Sequence, residues 1–516
     1  VFLDHSNLIE GDPFLMKGMK EAVERIARAE KRNELVLIYG DYDADGITAT
    51  AVLVEVLRGL DIRTEYFIPE RITQGYGLHS EVLHDYKAKG VDLVISVDCG
   101  IRAVDAIDAS RKIGLDVIVT DHHELGERLP EAIAIINPKQ EGDSYPFKDF
   151  AGVGIAYKLA CAILDELGMV AKKPLLDLVA LGTVADLAPL HGENRSLVIK
   201  GLKQLGSTKR SGLIALSQAV GVSDRRIRTE TIAFQLAPRI NASGRVDSPY
   251  KALELLLTDD VETAFRLAKE LDQINRKRQK MTVDIVDLAK TKIEQEIELN
   301  EVLFVSDESF HVGIIGLAAS RLSDEYYRPA IVANKGDEIT RASARSIRGF
   351  NITGALEECS ELLLRFGGHK AAAGFSLRTE DIGRFQRKIN AIAREKFREI
   401  DLVPSIEIET EVELNELNFN LLAFLDKIQP CGMGNPIPLF GARQVHLDSS
   451  RLVGKKRNHL KLMLKQGGQV IDSIAFNQGH LIRKLTQTID IAFNFERNDY
   501  MGIEGQQLNI KAIKVN

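Results

Sequence analysis

The sequence predicts an α/β protein: two α/β lobes, the first with a parallel sheet, joined by a long helix and followed by a small β-barrel. Three observations carry this expectation. Short apolar runs rich in β-branched residues recur between residues 35 and 136, each followed by Gly, Asp or Asn, with helix-like stretches between them. That alternation is the pattern of a doubly wound parallel sheet. Residues 251–298 keep helical periodicity without obvious breakers. Beyond Pro404 the chain turns strand-rich and turn-rich, as small barrels are.

Composition narrows the class. A length of 516 residues corresponds to about three domains at roughly 150 residues each. Lys and Arg number 67 against 74 Asp and Glu, a formal charge of −7, which excludes a polybasic nucleic-acid coat. Phosphate contacts must then come from local patches or bound metal. No run approaches the ~18 apolar residues of a membrane span, so no membrane partner is expected. Cys99, Cys161, Cys359 and Cys431 are far apart, which excludes a zinc knuckle and a disulfide framework and favours a reducing, cytoplasmic setting. No basic-then-apolar leader follows Val1, and whether a natural N-terminal segment precedes it stays open.

Taken in order, residues 35–39, 93–97, 117–120 and 132–136 read as buried strands, with helices near 47–60 and 102–113. In such sheets ligands bind beyond the carboxyl ends of strands. The stretch 251–298, with its basic cluster Arg276, Lys277, Arg278 and Lys280, reads as a helix connecting two lobes. Residues 302–305, 313–316 and 329–333 begin a second α/β unit. Segments 445–447, 460–464 and 489–493 belong to the barrel. The expected boundaries are 1–250, 251–298, 299–400 and 401–516.

The strand ends carry the chemistry. Residues 35–39 run into Asp41-Tyr42-Asp43-Ala44-Asp45-Gly46, three carboxylates that need a cation or strong hydrogen bonds to stay ionised together. An EF-hand loop opens this way, but its bidentate Glu position falls on Val52 and a strand precedes it. A surface acidic turn and a catalytic metal loop remain. Asp98 and the pair His122-His123 close two further strands. Alone, Asp98 reads equally as a helix cap, and a His pair as structural. Their shared location on one rim favours metal ligation. Asp186 sits in an apolar run where an unpaired carboxylate would cost several kcal/mol. Mixed carboxylate and imidazole ligands suit Mn²⁺ or a related ion, and two such ions can activate water and clamp a phosphoryl centre.

Asp41-Tyr-Asp-Ala-Asp-Gly46, Ser96-Val-Asp-Cys-Gly100, Asp121-His-His123 and Val184-Ala-Asp-Leu187 resemble the ordered motifs of the DHH phosphoesterase superfamily. Gly367-Gly-His-Lys-Ala-Ala-Ala-Gly374 is similar to the glycine-rich signature of its DHH-associated domain. Pro238-Arg-Ile-Asn-Ala-Ser-Gly-Arg245, Ser343-Ala-Arg-Ser-Ile347 and Gly432-Met-Gly-Asn-Pro436 resemble segments of its single-strand-specific 5′→3′ exonucleases. The likeness covers nearly the whole chain. It implies a DHH catalytic domain, a DHH-associated domain and an OB-like barrel, with two Mn²⁺ or Mg²⁺ ions.

Residue by residue, the resemblance implies Asp43, Asp45, Asp98, His122 and Asp186 as metal ligands. Asp41 would serve the second ion, two residues after a histidine position of smaller members that is Tyr39 here. His123 would contact the scissile phosphate and Asp121 would orient the histidines. Arg71, Arg239, Ser343 and Arg345 would hold a 5′-terminal phosphate, with Arg245 a competing candidate, since guanidinium forks suit phosphates. Asn241 joins this substrate-binding set. Tyr76 would stack a terminal base. His369 lies among small residues that let backbone approach a ligand, and His311 reads as a helix cap. Arg451, Lys455, Lys456 and Arg457 form a basic turn of the barrel.

The implied activity is hydrolysis of single-stranded DNA to 5′-mononucleotides in repair and recombination. Whether a helicase and a single-strand-binding protein feed the strand stays open. The rivals are a DHH phosphodiesterase for short oligonucleotides or cyclic dinucleotides, and a non-catalytic strand-binding relative. Gly152-Val-Gly154-Ile-Ala-Tyr157 begins like a dinucleotide fingerprint but has Tyr157 at the third glycine position, and no Walker-type phosphate loop occurs.

Overall fold

The computed structural model describes residues 2–3, 10–222, 227–295, 299–399, 402–498 and 505–515. Two compact units divide the chain. The larger holds Glu10–Ala188 and Gly192–Pro404; the smaller holds Pro189–His191 and Ser405–Asn516.

The larger unit begins with a five-stranded parallel sheet. Its strands are β1 (Leu35–Tyr39), β2 (Thr64–Phe67), β3 (Val91–Val97), β4 (Asp116–Thr120) and β5 (Ala134–Ile136), in the order β2-β1-β3-β4-β5. Every residue of β1 is buried, as a strand covered on both faces requires. Sequence reading missed β2, an edge strand whose Thr and Glu interrupt the apolar pattern. Helix α1 (Ala44–Gly59) is buried around its circumference and packs on α2 (Gly152–Glu166) and α3 (Leu176–Ala185). A helix apolar all round belongs in a core. The strand order reverses between β1 and β3, and at such a switch point a crevice opens beyond the carboxyl ends of the strands.

Helix α4 (Ala237–Val246) follows. The expected continuous connector is broken: α5 (Tyr250–Leu257) stops, and Asp260 caps the next helix by accepting the Thr263 N–H. Helix α6 (Val261–Glu294) then runs 34 residues, about 50 Å at 1.5 Å per residue. The last part of the expected connector, 296–298, lies outside the described residues. The second sheet contains β6 (Leu303–Asp307), β7 (Ala330–Asn334), β8 (Ile339–Arg345), β9 (Leu363–His369) and β10 (Ala372–Arg378), ordered β6-β7-β8-β10-β9. Residues Gly313–Gly316 lie in helix α7 (Val312–Tyr326), between β6 and β7. His311 caps α7 as expected, its Nδ1 accepting the Gly313 N–H.

The smaller unit is the expected barrel. A short strand β11 (Thr410–Glu411) pairs with β12 (Phe440–Val453), and β13 (His459–Gln466), β14 (Gln469–Ala475), β15 (Thr488–Asn498) and β16 (Gly505–Val515) complete it. Closure comes from β12 pairing β15, and β14 pairs β16 in parallel. Phe440, Leu462, Ile471, Phe493 and Leu508 fill its core. The basic turn at Lys455–Arg457 is an exposed hairpin between β12 and β13. No disulfide joins the four cysteines, and no helix among the described residues is long and apolar enough to cross a membrane.

Candidate metal centre

The acidic segment folds as a cap plus a first helical turn rather than as one loop. Asp43 is the N-cap of α1, and its Oδ1 accepts the N–H groups of Asp45 and Gly46. Asp45 lies in the first turn of α1 and is buried. Its two oxygens accept the N–H groups of Gly152 and Val153 at 2.6 and 2.8 Å. Asp41 is buried on the preceding loop, and its Oδ1 has no hydrogen-bond partner among the described residues.

Two further strand ends converge on this cluster. Asp98 follows β3 with φ +60 and donates its N–H to the Thr120 carbonyl at the end of β4. It caps no helix: the next one starts at Val104 with Ala103 as its N-cap. His122 places Nε2 3.1 Å from Asp98 Oδ1 and 3.9 Å from Asp45 Oδ2, while its Nδ1 lies 3.9 Å from Asp186 Oδ2. Asp186 arrives from the C-cap of α3, not from a strand, and keeps 25% of its side-chain surface. Three ligand groups result, each with donor atoms within 4.8 Å of one another: Asp41–Asp43–Asp98, Asp45–His122–Asp186 and Asp98–His122–His123. All six expected ligands are thus gathered at the switch-point crevice.

Burial raises the carboxyls of Asp41 and Asp98 well above the usual range, and adjacent carboxylates push the same way. Burial, then Asp43, takes Asp45 to about 7 even though two amides oppose the shift. Burial, Asp45 and Asp43 take Asp186 to about 9. Burial and the neighbouring His123 hold His122 down at about 4, leaving it neutral and able to coordinate at pH 7. Oδ1 of Asp41, Oδ1 of Asp98 and Nε2 of His122 are all buried without hydrogen-bond partners among the described residues. Oxygen-rich donors with one imidazole fit hard divalent ions such as Mn²⁺ and Mg²⁺.

Asp121 is fully buried and serves as a bracket. Its Oδ2 accepts the Ile101 N–H; its Oδ1 accepts the N–H groups of His122 and His123 and lies 2.7 Å from His123 Nδ1. It orients the ring of His123, not that of His122. Burial is the largest influence and would lower the pKa of His123, but the Asp121 hydrogen bond together with the charges of Asp121, Asp41 and Asp43 outweighs it, and the net shift is upward. Burial acts to raise Asp121, yet its bonds from His123 and the amides bring it below its ordinary value.

Cations gather beside these acids. Arg71 stacks 4.2 Å from the centre of the Tyr42 ring, and its buried Nε is unpartnered among the described residues. Arg245 and Arg345 both have guanidinium pKa values lowered by burial and then by Arg71, with Arg245 falling to about 10. Arg345 reaches the Ser343 hydroxyl at 3.2 Å, and Gly316 of α7 leaves room for both side chains. Arg239 departs from expectation: Asp272 and the Gln235 carbonyl take its guanidinium, so it is not a free cation of this pocket. Arg278, read only as part of a basic run, acts on Arg245 instead. Asn241 accepts the Ala44 N–H at 2.8 Å and so buttresses the acidic segment rather than facing a ligand with that oxygen.

Tyr76 stands between Gly75 and Gly77, which adopt φ +85 and +97, conformations glycine allows without strain. Its hydroxyl donates to the Asp98 carbonyl at 3.2 Å and lies 3.1 Å from His123 Nδ1, while the ring stays half exposed. Tyr39 anchors the same loop by donating to the Gly77 carbonyl at 3.1 Å. A cavity of about 700 Å³ opens here, lined by Tyr76, His123, Arg102, Glu124, Arg365 and His369 among others. His369 thus faces the first lobe from the end of β9. Sequence reading did not foresee the Gly152 and Val153 donors; the only signal was a glycine pair opening an uncapped helix.

Known proteins share this organisation. Residues 35–183 match the DHH family N-terminal domain, 299–395 the DHHA1 domain and 408–512 the RecJ OB domain. The single-stranded-DNA-specific exonuclease RecJ of Bacillus subtilis is 40% identical over 504 residues, which cover 97% of this chain and 64% of that protein. RecJ of Haemophilus influenzae is 35% identical, with 98% of this chain and 92% of that protein covered. The crystal structure of RecJ in complex with Mn²⁺ from Thermus thermophilus superposes with a TM-score of 0.85 at 31% identity, covering 97% of this chain and 72% of that one. The chain belongs to the RecJ family of the DHH superfamily.

Proposed function

We propose that this chain is a metal-dependent exonuclease that degrades single-stranded DNA from the 5′ end to 5′-mononucleotides, acting in DNA repair and recombination within the cytoplasm. One observation carries the reading. Carboxylates and an imidazole from three strand ends and one helix end converge within reach of shared ions, beside Arg71, Arg245 and Arg345.

Asp41, Asp43, Asp45, Asp98, His122 and Asp186 would hold two Mn²⁺ or Mg²⁺ ions. When bound, such ions polarise a phosphoryl oxygen and lower the pKa of water. The chain's own residues do the rest. Arg71, Arg245 and Arg345, with the Ser343 hydroxyl, anchor the terminal 5′-phosphate through charge-assisted hydrogen bonds. This anchor sets the next phosphodiester at the crevice beside His123, whose Nδ1 is held by Asp121. There the His123 ring contacts a phosphate oxygen.

Water adds to phosphorus as the P–O3′ bond breaks, so the departing mononucleotide keeps its 5′-phosphate and gains a 3′-hydroxyl. The shortened strand carries a new 5′-phosphate that refills the arginine pocket. Tyr76 offers a half-exposed ring on which a base can stack. The barrel, with Arg451, Lys455, Lys456 and Arg457, supplies a basic surface for single strands.

Purified protein with Mn²⁺ is expected to release mononucleotides from a 5′-phosphorylated single strand, faster than from a duplex or a dinucleotide. A strand that is bound but left uncut would overturn the assignment.

A further inference from the structure

The Gly152-Val153-Gly154 segment fails as a dinucleotide fingerprint, yet it opens α2 directly against the acidic cluster. A helix leaves its first N–H groups without intrahelical partners, and Ala151, the N-cap of α2, makes no side-chain cap bond. Asp45 satisfies them from 107 residues away. Gly152 N–H donates to Oδ2 and Val153 N–H to Oδ1, so both oxygens are fixed. Each oxygen keeps a lone pair for an ion.

Gly152 also makes room. A Cβ at this position would lie 2.7 Å from both Cβ and Oδ1 of Asp98 and 2.9 Å from its Cγ. Its φ lies outside the left-handed region, so the demand is for space rather than conformation. A Cβ on Gly182, in α3, would collide with the Thr48 hydroxyl and stand 3.1 Å from Asp45 Oδ1. Two helices therefore approach the acidic cluster through glycine, α2 beside Asp98 and α3 beside Asp45.

We propose that Gly152 is a positioning residue of the metal centre: its N–H, with that of Val153, aims the Asp45 carboxylate, and its missing side chain admits Asp98 alongside. The inference rests on the metal-dependent reading above and extends it to backbone donors that touch neither ion nor substrate. Groups that orient metal ligands typically govern affinity by 10–100-fold.

Mn²⁺ titration by electron paramagnetic resonance and calorimetry, on the wild type, Gly152→Ala and Val153→Pro, tests it. Val153→Pro, in the first helical turn where the backbone tolerates proline, replaces the N–H that faces Asp45 Oδ1 at 2.8 Å with a ring carbon, so it both removes that donor and displaces the oxygen it aims. Expected are Mn²⁺ affinities lower by about tenfold or more for Gly152→Ala and several-fold for Val153→Pro, with metal-free melting temperatures near wild type. A Gly152→Ala protein that does not fold leaves Val153→Pro to decide. Variants that bind Mn²⁺ as tightly as a binding-competent wild type overturn the positioning role alone. A wild type without Mn²⁺ affinity overturns the metal-dependent reading, and this one with it.

Discussion

His122 Nε2 and Asp98 Oδ1 stand 3.1 Å apart at the ends of adjacent parallel strands, without the alignment of a hydrogen bond and without other hydrogen-bond partners among the described residues. Burying two such atoms unsatisfied is costly. A divalent ion lying against both would remove that cost, and Asp98 also belongs to the group formed with Asp41 and Asp43. Asp98 is therefore the carboxylate shared by two of the three candidate ligand groups.

Asp98→Ala should lower kcat by about 10³-fold, the several kcal/mol a Lewis-acid clamp supplies, while single-strand affinity in a filter-binding assay stays near wild type. Retained cleavage would reject Asp98 as a ligand.

Asp121→Asn keeps the shape of the bracket but loses the charge opposite His123 Nδ1. Turnover should fall about 10–100-fold, as for other groups that orient an active imidazole, with Mn²⁺ affinity little changed in a calorimetric titration. A large loss of Mn²⁺ affinity with normal turnover of loaded protein would assign Asp121 to the ions instead.

Removing an arginine from the terminal-phosphate pocket should erase discrimination between strand ends. Charge-assisted hydrogen bonds contribute about 1.5–3 kcal/mol. Arg345→Gln should thus reduce the preference for 5′-phosphate over 5′-hydroxyl strands by about tenfold or more, read from kcat/KM on paired substrates. An unchanged ratio would move the phosphate elsewhere.

The acidic cluster also sets a pH dependence. Asp41, Asp45, Asp98 and Asp186 have folded pKa values raised above their unfolded ones, Asp45 to about 7 and Asp186 to about 9. A raised carboxyl contributes stability below its unfolded pKa and loses that contribution as pH rises through the folded value. Metal-free protein should therefore melt lower at about pH 9 than at about pH 6, by on the order of several °C. Mn²⁺ should cancel most of the difference. A metal-free melting temperature that is flat or rising over this interval would contradict the charge assignment.

The parts of this site that sequence revealed are those tied to strand ends. Asp41, Asp98 and His122 fall within two residues of the ends of buried strands, and a parallel sheet brings such positions to one edge whatever the tertiary detail. Asp186 was visible only as a charge in an apolar stretch, and its place at a helix C-cap was not. Pairings across long sequence distances left no local trace: Asn241 on Ala44, Asp272 on Arg239, Gly152 on Asp45. The break between α5 and α6 escaped because Thr258 ends one helix and Asp260 caps the next without any Gly or Pro.

Anomalous diffraction from crystals soaked in Mn²⁺ tests the central claim most directly. Two peaks are expected among Asp41, Asp43, Asp45, Asp98, His122 and Asp186, with Asp98 near both. Peaks confined to other surfaces, or no peak within coordination distance of Asp98, would contradict the account.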